Sequence, residues 1–245
     1  MKSEAREIDL GTILAGDRIG NALARFLRHG SDGMALTGSI ALAAQWARLR
    51  GGRLDRNFAD IDLVVPSLNA LSVSLADEFI CPHVHGAAAP GRTLAQFVHP
   101  DDAVRIDIFR AIGGAAARAT PFRMGSVSIG ILSVEDQAAR AASVCMKLAR
   151  GGSAVPKHLH DFMRLQQLLA PGRIDAVWQE YRREFEPPRF LDAAALIEAT
   201  ARAHPARLVA AEFNRDVNAV CPNCAPWGRF KPAEPSRTLR ILGYV

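Results

Sequence analysis

The sequence predicts an α+β fold, a mixed β-sheet core with flanking helices followed by a helical C-terminal region. Three observations predict it. Short alternating apolar segments separated by turn residues fill the first 132 positions, and from Ser133 onward the apolar period lengthens to that of helices. The composition, 49% hydrophobic over 245 residues, suffices for a buried core. The expected parts are a core over 1–132, a helical domain over 133–220 and an extended tail over 221–245. Four prolines in the tail, Pro222, Pro226, Pro232 and Pro235, exclude a single helix there.

Taken in order, Leu10 to Leu27 carries apolar residues at helical spacing and predicts one helix ending at His29-Gly30. Met34-Ala35-Leu36 is a short strand, Ser39 is placed to cap a helix over Ile40 to Arg50, and Gly51-Gly52 ends that helix. Gly51 to Phe58 reads as a basic loop and Ile61 to Val65 as a strand stopped by Pro66. Leu68 to Phe79 is expected as a helix, and Thr93–Val98, Ala103–Phe109 and Val127–Leu132 as strands, giving an antiparallel-leaning half. The second half reads as five helices: Val134–Leu148, Pro156–Leu169, Arg173–Arg183, Leu191–Ala203 and Ala206–Val217.

The formal net charge of +5 favours polyanionic partners such as RNA, DNA or nucleotides, and equally describes a merely soluble basic surface. No run of about 18 uncharged apolar residues is present and the first residues lack the apolar stretch of a signal peptide. A cytoplasmic protein with no membrane partner is therefore expected. Four cysteines do not make a disulfide-dense secreted framework.

The chemistry concentrates in three acids and a glycine. Asp60 and Asp62 lie two apart on a predicted strand and so share a face, while Ile61 and Leu63 take the other. Asp107, in Val104-Arg105-Ile106-Asp107-Ile108-Phe109, repeats that pattern, and a neighbouring strand would bring its carboxylate to the same cluster. Carboxylates are the ligands Mg²⁺ or Mn²⁺ prefers, and such ions serve phosphoryl and nucleotidyl transfer. Gly38 admits a phosphate close to the backbone, and Ser39 at a helix start offers a hydroxyl and amides. Strand, Gly-Ser turn, helix and Asp-x-Asp strand together predict a metal-dependent site that binds an NTP.

These residues, Gly38, Ser39, Asp60, Asp62 and Asp107, resemble the signature of the nucleotidyltransferases related to DNA polymerase beta. Leu36-Thr37-Gly38-Ser39-Ile40-Ala41-Leu42-Ala43 and Phe58-Ala59-Asp60-Ile61-Asp62-Leu63-Val64 look most like the AbiEii-type branch, the nucleotidyltransferase toxins of type IV toxin-antitoxin systems. The resemblance spans about 35 to 170 and implies a nucleotidyltransferase-type sheet core, transfer of NMP from an NTP, tRNA or another RNA as acceptor, and a cognate antitoxin as partner. It implies that Lys147 binds NTP phosphate and that Asp161 assists at the nucleotide or acceptor. One departure stands out, since His158 occupies the place where that branch has the first acid of its Asp-x-x-Asp segment. Small-molecule or protein hydroxyls as acceptors, and an inactive nucleotide- or RNA-binding module of the same fold, are the alternatives.

Arg48, Arg50, Arg53 and Arg56 beside the site either contact phosphate or form a solvated helix end, and Arg105 either holds the Asp107 carboxylate or binds phosphate. Cys221-Pro222-Asn223-Cys224 has the spacing of half a zinc site. The turn-like segment Cys81-Pro82-His83-Val84-His85 offers Cys81 and His83 to complete a structural Zn²⁺ site.

Overall fold

In a computed structural model, residues 8–85, 88–99, 101, 104–170 and 172–210 are described. The chain divides into two compact units between Leu132 and Ser133.

The first unit is built on a seven-stranded mixed sheet in the order β3-β4-β5-β2-β1-β7-β6. The strands are β1 (Ala35–Thr37), β2 (Asp60–Val65), β3 (Ile80–Val84), β4 (Thr93–Val98), β5 (Arg105–Arg110), β6 (Thr120–Met124) and β7 (Val127–Ile131). Most neighbours are antiparallel, but β2/β5 and β1/β7 run parallel. The β2/β5 pairing is in direct register, Asp60 opposite Arg105 and Asp62 opposite Asp107. Ile61, Leu63, Ile106 and Ile108 are wholly buried, so the aliphatic half of each strand makes the core and leaves the acids to the other face.

Four helices accompany this sheet: α1 (Leu10–Ile13), α2 (Arg18–Leu27), α3 (Gly38–Arg50) and the single turn α4 (Leu75–Glu78). The single helix expected over Leu10 to Leu27 is two. Gly16 at φ +76° breaks it, and Asp17 restarts it by accepting from the Ile19 amide at 3.0 Å. Phe26 of α2 meets Phe79 and Phe97 edge to face at 5.5 and 5.9 Å. Because Phe97 neighbours Gln96 on β4, this aromatic cluster lies on the sheet face opposite Gln96.

Two further expectations are corrected. Leu68 to Phe79 is not one helix but a 3₁₀ turn at Leu68–Ala70 and then α4, with Ser72 and Ser74 bonding each other and the local backbone between them. The segment Cys81 to His85, read as turn-like, lies mostly in the edge strand β3, held by pairing with β4. Strand β6 was likewise not expected from the sequence.

The second unit is helical: α5 (Val134–Ala149), α6 (Pro156–Gln166), α7 (Ile174–Tyr181) and α8 (Phe190–Ala203). Ser133 caps α5 by accepting from the Asp136 amide at 3.0 Å, and Tyr181 donates to the buried Asp136 carboxylate at 3.1 Å. The other helices pack on α5, with the Phe190 ring against both Phe162 and Trp178. The helix expected over Ala206 to Val217 is, among described residues, a 3₁₀ turn at Pro205–Arg207 followed by an isolated bridge from Leu208 to Ala154. No helix among the described residues is long and apolar enough to cross a membrane.

Candidate active site

Register assembles the site. Thr37, Asp62, Asp107, Gln96 and His83 lie directly opposite one another across β1, β2, β5, β4 and β3 and therefore share one face. Asp60, two residues before Asp62, lies on the same face beside Arg105. The three aspartates picked out by alternation are thus neighbours on two adjacent parallel strands.

Asp107 is the most buried of the three at 6% exposure, and both of its carboxylate oxygens are held. Gln96 Nε2 donates to Oδ1 at 2.8 Å, and Arg105 Nε stands 3.0 Å from Oδ2. The same guanidinium reaches Asp60 Oδ2 at 3.0 Å through its second nitrogen. Of the two roles left open for Arg105, it takes the carboxylates. Burial pushes the Asp107 pKa upward; Arg105 and Gln96 oppose this, and the negative Asp60 adds to it.

The turn between β1 and α3 places backbone against acid. Gly38 has φ +66°, and a Cβ added there would overlap the Asp62 Oδ2 oxygen and stand 2.9 Å from its Cγ. The helix-capping position falls to Thr37, not Ser39. The chain turns at Gly38, so α3 begins two residues earlier than expected and Ser39 lies buried inside its first turn. No side-chain oxygen caps this helix, and the Thr37 hydroxyl is buried without a hydrogen-bond partner, in line with Asp62. Open amides, an unsatisfied hydroxyl and a carboxylate therefore meet at one helix start.

A divalent cation suits this donor set in chemistry: three carboxylates share a face, and the Gly38 cradle keeps backbone close to one of them. Among the described residues, however, no three His, Cys, Asp or Glu side chains already converge as a metal cluster. The positive group between Asp60 and Asp107 is the Arg105 guanidinium.

An open cleft of about 500 Å³ continues the same face toward the sheet edge, lined by His83, His85, Arg92, Thr93 and Gln96. Another, of about 380 Å³, is mainly bounded by α1, α3 and the Arg53-Leu54 loop and includes none of the three aspartates. Arg48, one of the basic residues beside the motif, lies over the Phe122 ring at 5.5 Å.

The remaining candidates belong to the second unit. Lys147 is exposed near the end of α5, and His158 and Asp161 lie on α6. Burial lowers the His158 pKa, Lys157, Arg140 and Lys147 act in the same direction, and Asp161 opposes them. Burial beside Asp161 pushes the Cys145 thiol up to about 12, which keeps it protonated. Of the zinc candidates, Cys81 is wholly buried with its thiol toward the His83 carbonyl, while Cys221 and Cys224 lie outside the described residues.

Sequence reasoning passed over Thr37, Gln96 and the extension of the row to His83. Gln96 carried a signal, a polar residue alternating on one face with Leu94 and Val98, but its partner depends on strand pairing.

No protein-family model and no curated protein matches the chain. Among solved structures it is similar to an antigenic nucleotidyltransferase-like protein from Paracoccidioides brasiliensis, at 15% identity and a TM-score of 0.44, over 83% of this chain and 94% of that one.

Proposed function

We propose that the chain is a nucleotidyltransferase that moves NMP from an NTP to an acceptor hydroxyl. One observation carries the reading: Asp60, Asp62 and Asp107 lie side by side on one sheet face, with the Gly38 turn against Asp62. In the reaction an acceptor oxygen forms a bond to the α-phosphorus as the α-phosphorus to pyrophosphate-oxygen bond breaks, and pyrophosphate leaves with the electron pair. The acceptor hydroxyl proton passes to Asp107, whose orientation Gln96 and Arg105 fix. Asp60, Asp62 and Asp107 would hold Mg²⁺ or Mn²⁺, which neutralises phosphate charge when bound. The amides opening α3 would receive the triphosphate.

The finer readings rest on the motif resemblance and the basic charge: tRNA or another RNA as acceptor, Lys147 as a phosphate contact, Asp161 as an assisting acid, and action as a toxin restrained by an antitoxin. Incubation with each labelled NTP, Mg²⁺ and total cellular RNA, beside the Asp60→Ala, Asp62→Ala variant, tests the activity. Transfer by the wild type alone supports it; transfer by neither protein to RNA, protein or small alcohols overturns it. Growth arrest on expression that the same variant does not cause is the outcome expected of a toxin.

A second reading is favoured by Arg105, which already neutralises two of the acids. A binding module of the same fold would keep that bridge, bind NTP without a divalent ion, and transfer nothing.

A further inference from the structure

The row of side chains on the site face does not end at Asp107. Gln96, which holds Asp107 Oδ1, is also a wall of the cleft shared by His83, His85, Arg92 and Thr93. His83 stands opposite Gln96, two strands from Asp107, a separation of roughly 10 Å at ordinary strand spacing. The described lining contains one arginine, two histidines and two neutral hydrogen-bonding side chains, and no acid. Arg92 supplies the fixed charge of this lining.

Resting on the nucleotidyltransferase reading above, we propose that this cleft is the acceptor subsite and binds a phosphate of the acceptor. Its position gives the reason. An acceptor hydroxyl delivered to Asp107 must approach along the site face, and the edge side of that face offers a positive, acid-free hollow connected to Asp107 through Gln96. A phosphate there pairs with Arg92 and takes hydrogen bonds from His85 and Thr93, while the span to Asp107 is one that a nucleotide unit bridges. The acceptor is therefore phosphate-bearing, either an RNA chain end or a phosphorylated small alcohol. A neutral sugar or a protein hydroxyl would leave the Arg92 charge unused.

The test measures acceptor binding without NTP or metal. A labelled RNA decamer is titrated by fluorescence anisotropy and a nucleoside monophosphate by calorimetry, for wild type and for Arg92→Gln, His85→Asn. Arg92 is exposed and His85 only partly buried, so both variants should fold; a thermal melt checks this. The substitutions should weaken binding about tenfold and make the salt dependence shallower by about one unit of slope, with labelled-NTP affinity unchanged. Loss for RNA alone assigns the phosphate to a chain; equal loss for the monophosphate assigns it to a small acceptor. Binding of neither ligand, or binding that both substitutions leave intact, overturns the proposal. Failure of the transfer assay with this binding intact would instead remove the catalytic reading.

Discussion

Gly38→Ala offers a sharp test of the site. An alanine Cβ at this position would overlap Asp62 Oδ2 and sit 2.9 Å from its Cγ, and the backbone φ of +66° is one L side chains rarely adopt. The left-handed conformation alone costs about 1–2 kcal/mol. The overlap must be relieved by moving Asp62 or the turn by about an ångström, and misplacement of that size costs on the order of 10² in rate. The variant should thus lose transfer about a hundredfold while remaining folded, its melting temperature lower by roughly 2–8 °C. Initial rates with saturating labelled NTP and a calorimetric melt read the two effects. Wild-type transfer in a folded Gly38→Ala protein would refute the claim that backbone and Asp62 are fitted to each other for catalysis.

Further outcomes follow from the same geometry. Asp107→Asn should lower transfer by about 10²–10⁴. Its effect on stability runs the other way: a raised folded pKa means the fold holds this proton more tightly than the unfolded chain, so stability falls as pH rises from 3.8 through the folded value. The asparagine variant should lack that decline in melts across acidic pH. Arg105→Gln leaves Asp60 and Asp107 uncompensated, so the protein should lose about 1–3 kcal/mol without divalent ions and gain more from added Mg²⁺ than wild type does, read from melting temperature. An equal Mg²⁺ response in the two proteins would contradict this. Burial pushes the Glu78 carboxyl up, but the hydrogen bond from His29 at 2.8 Å, the charge of Arg28 at 2.9 Å and nearby His29 and His99 outweigh it, so its pKa lies below the usual value. Its stabilisation is full above pH 4.5 and is lost as pH falls through the lowered value, so Glu78→Gln should flatten the acid limb of the stability curve.

The acids were legible because alternation is local: in Asp60-Ile61-Asp62 each residue's face follows from its neighbours. Their adjacency to Asp107 was only conditional, since no local pattern states that β5 pairs with β2 across an intervening hairpin. The same gap hid Gln96 and His83, whose meaning comes from register. Ser39 was misread as the cap because serine favours that position, whereas the turn at Gly38 puts the cap at Thr37, two residues sooner. The break in the first helix was written in Gly16-Asp17, but the apolar spacing on either side masked it.

The parallel pairing of β2 with β5 has a consequence for how such a protein can diversify. The β3–β4 hairpin between those strands in sequence lies on the β5 side of the pair in the sheet. That hairpin can change length or lining while Asp62 and Asp107 keep their register, because their pairing is made by strands it does not separate. On the proposed reading, acceptor choice would sit in residues 80–98, apart from the acids, and exchanging that stretch while keeping Gln96, which holds Asp107, should redirect transfer without rebuilding the reaction centre.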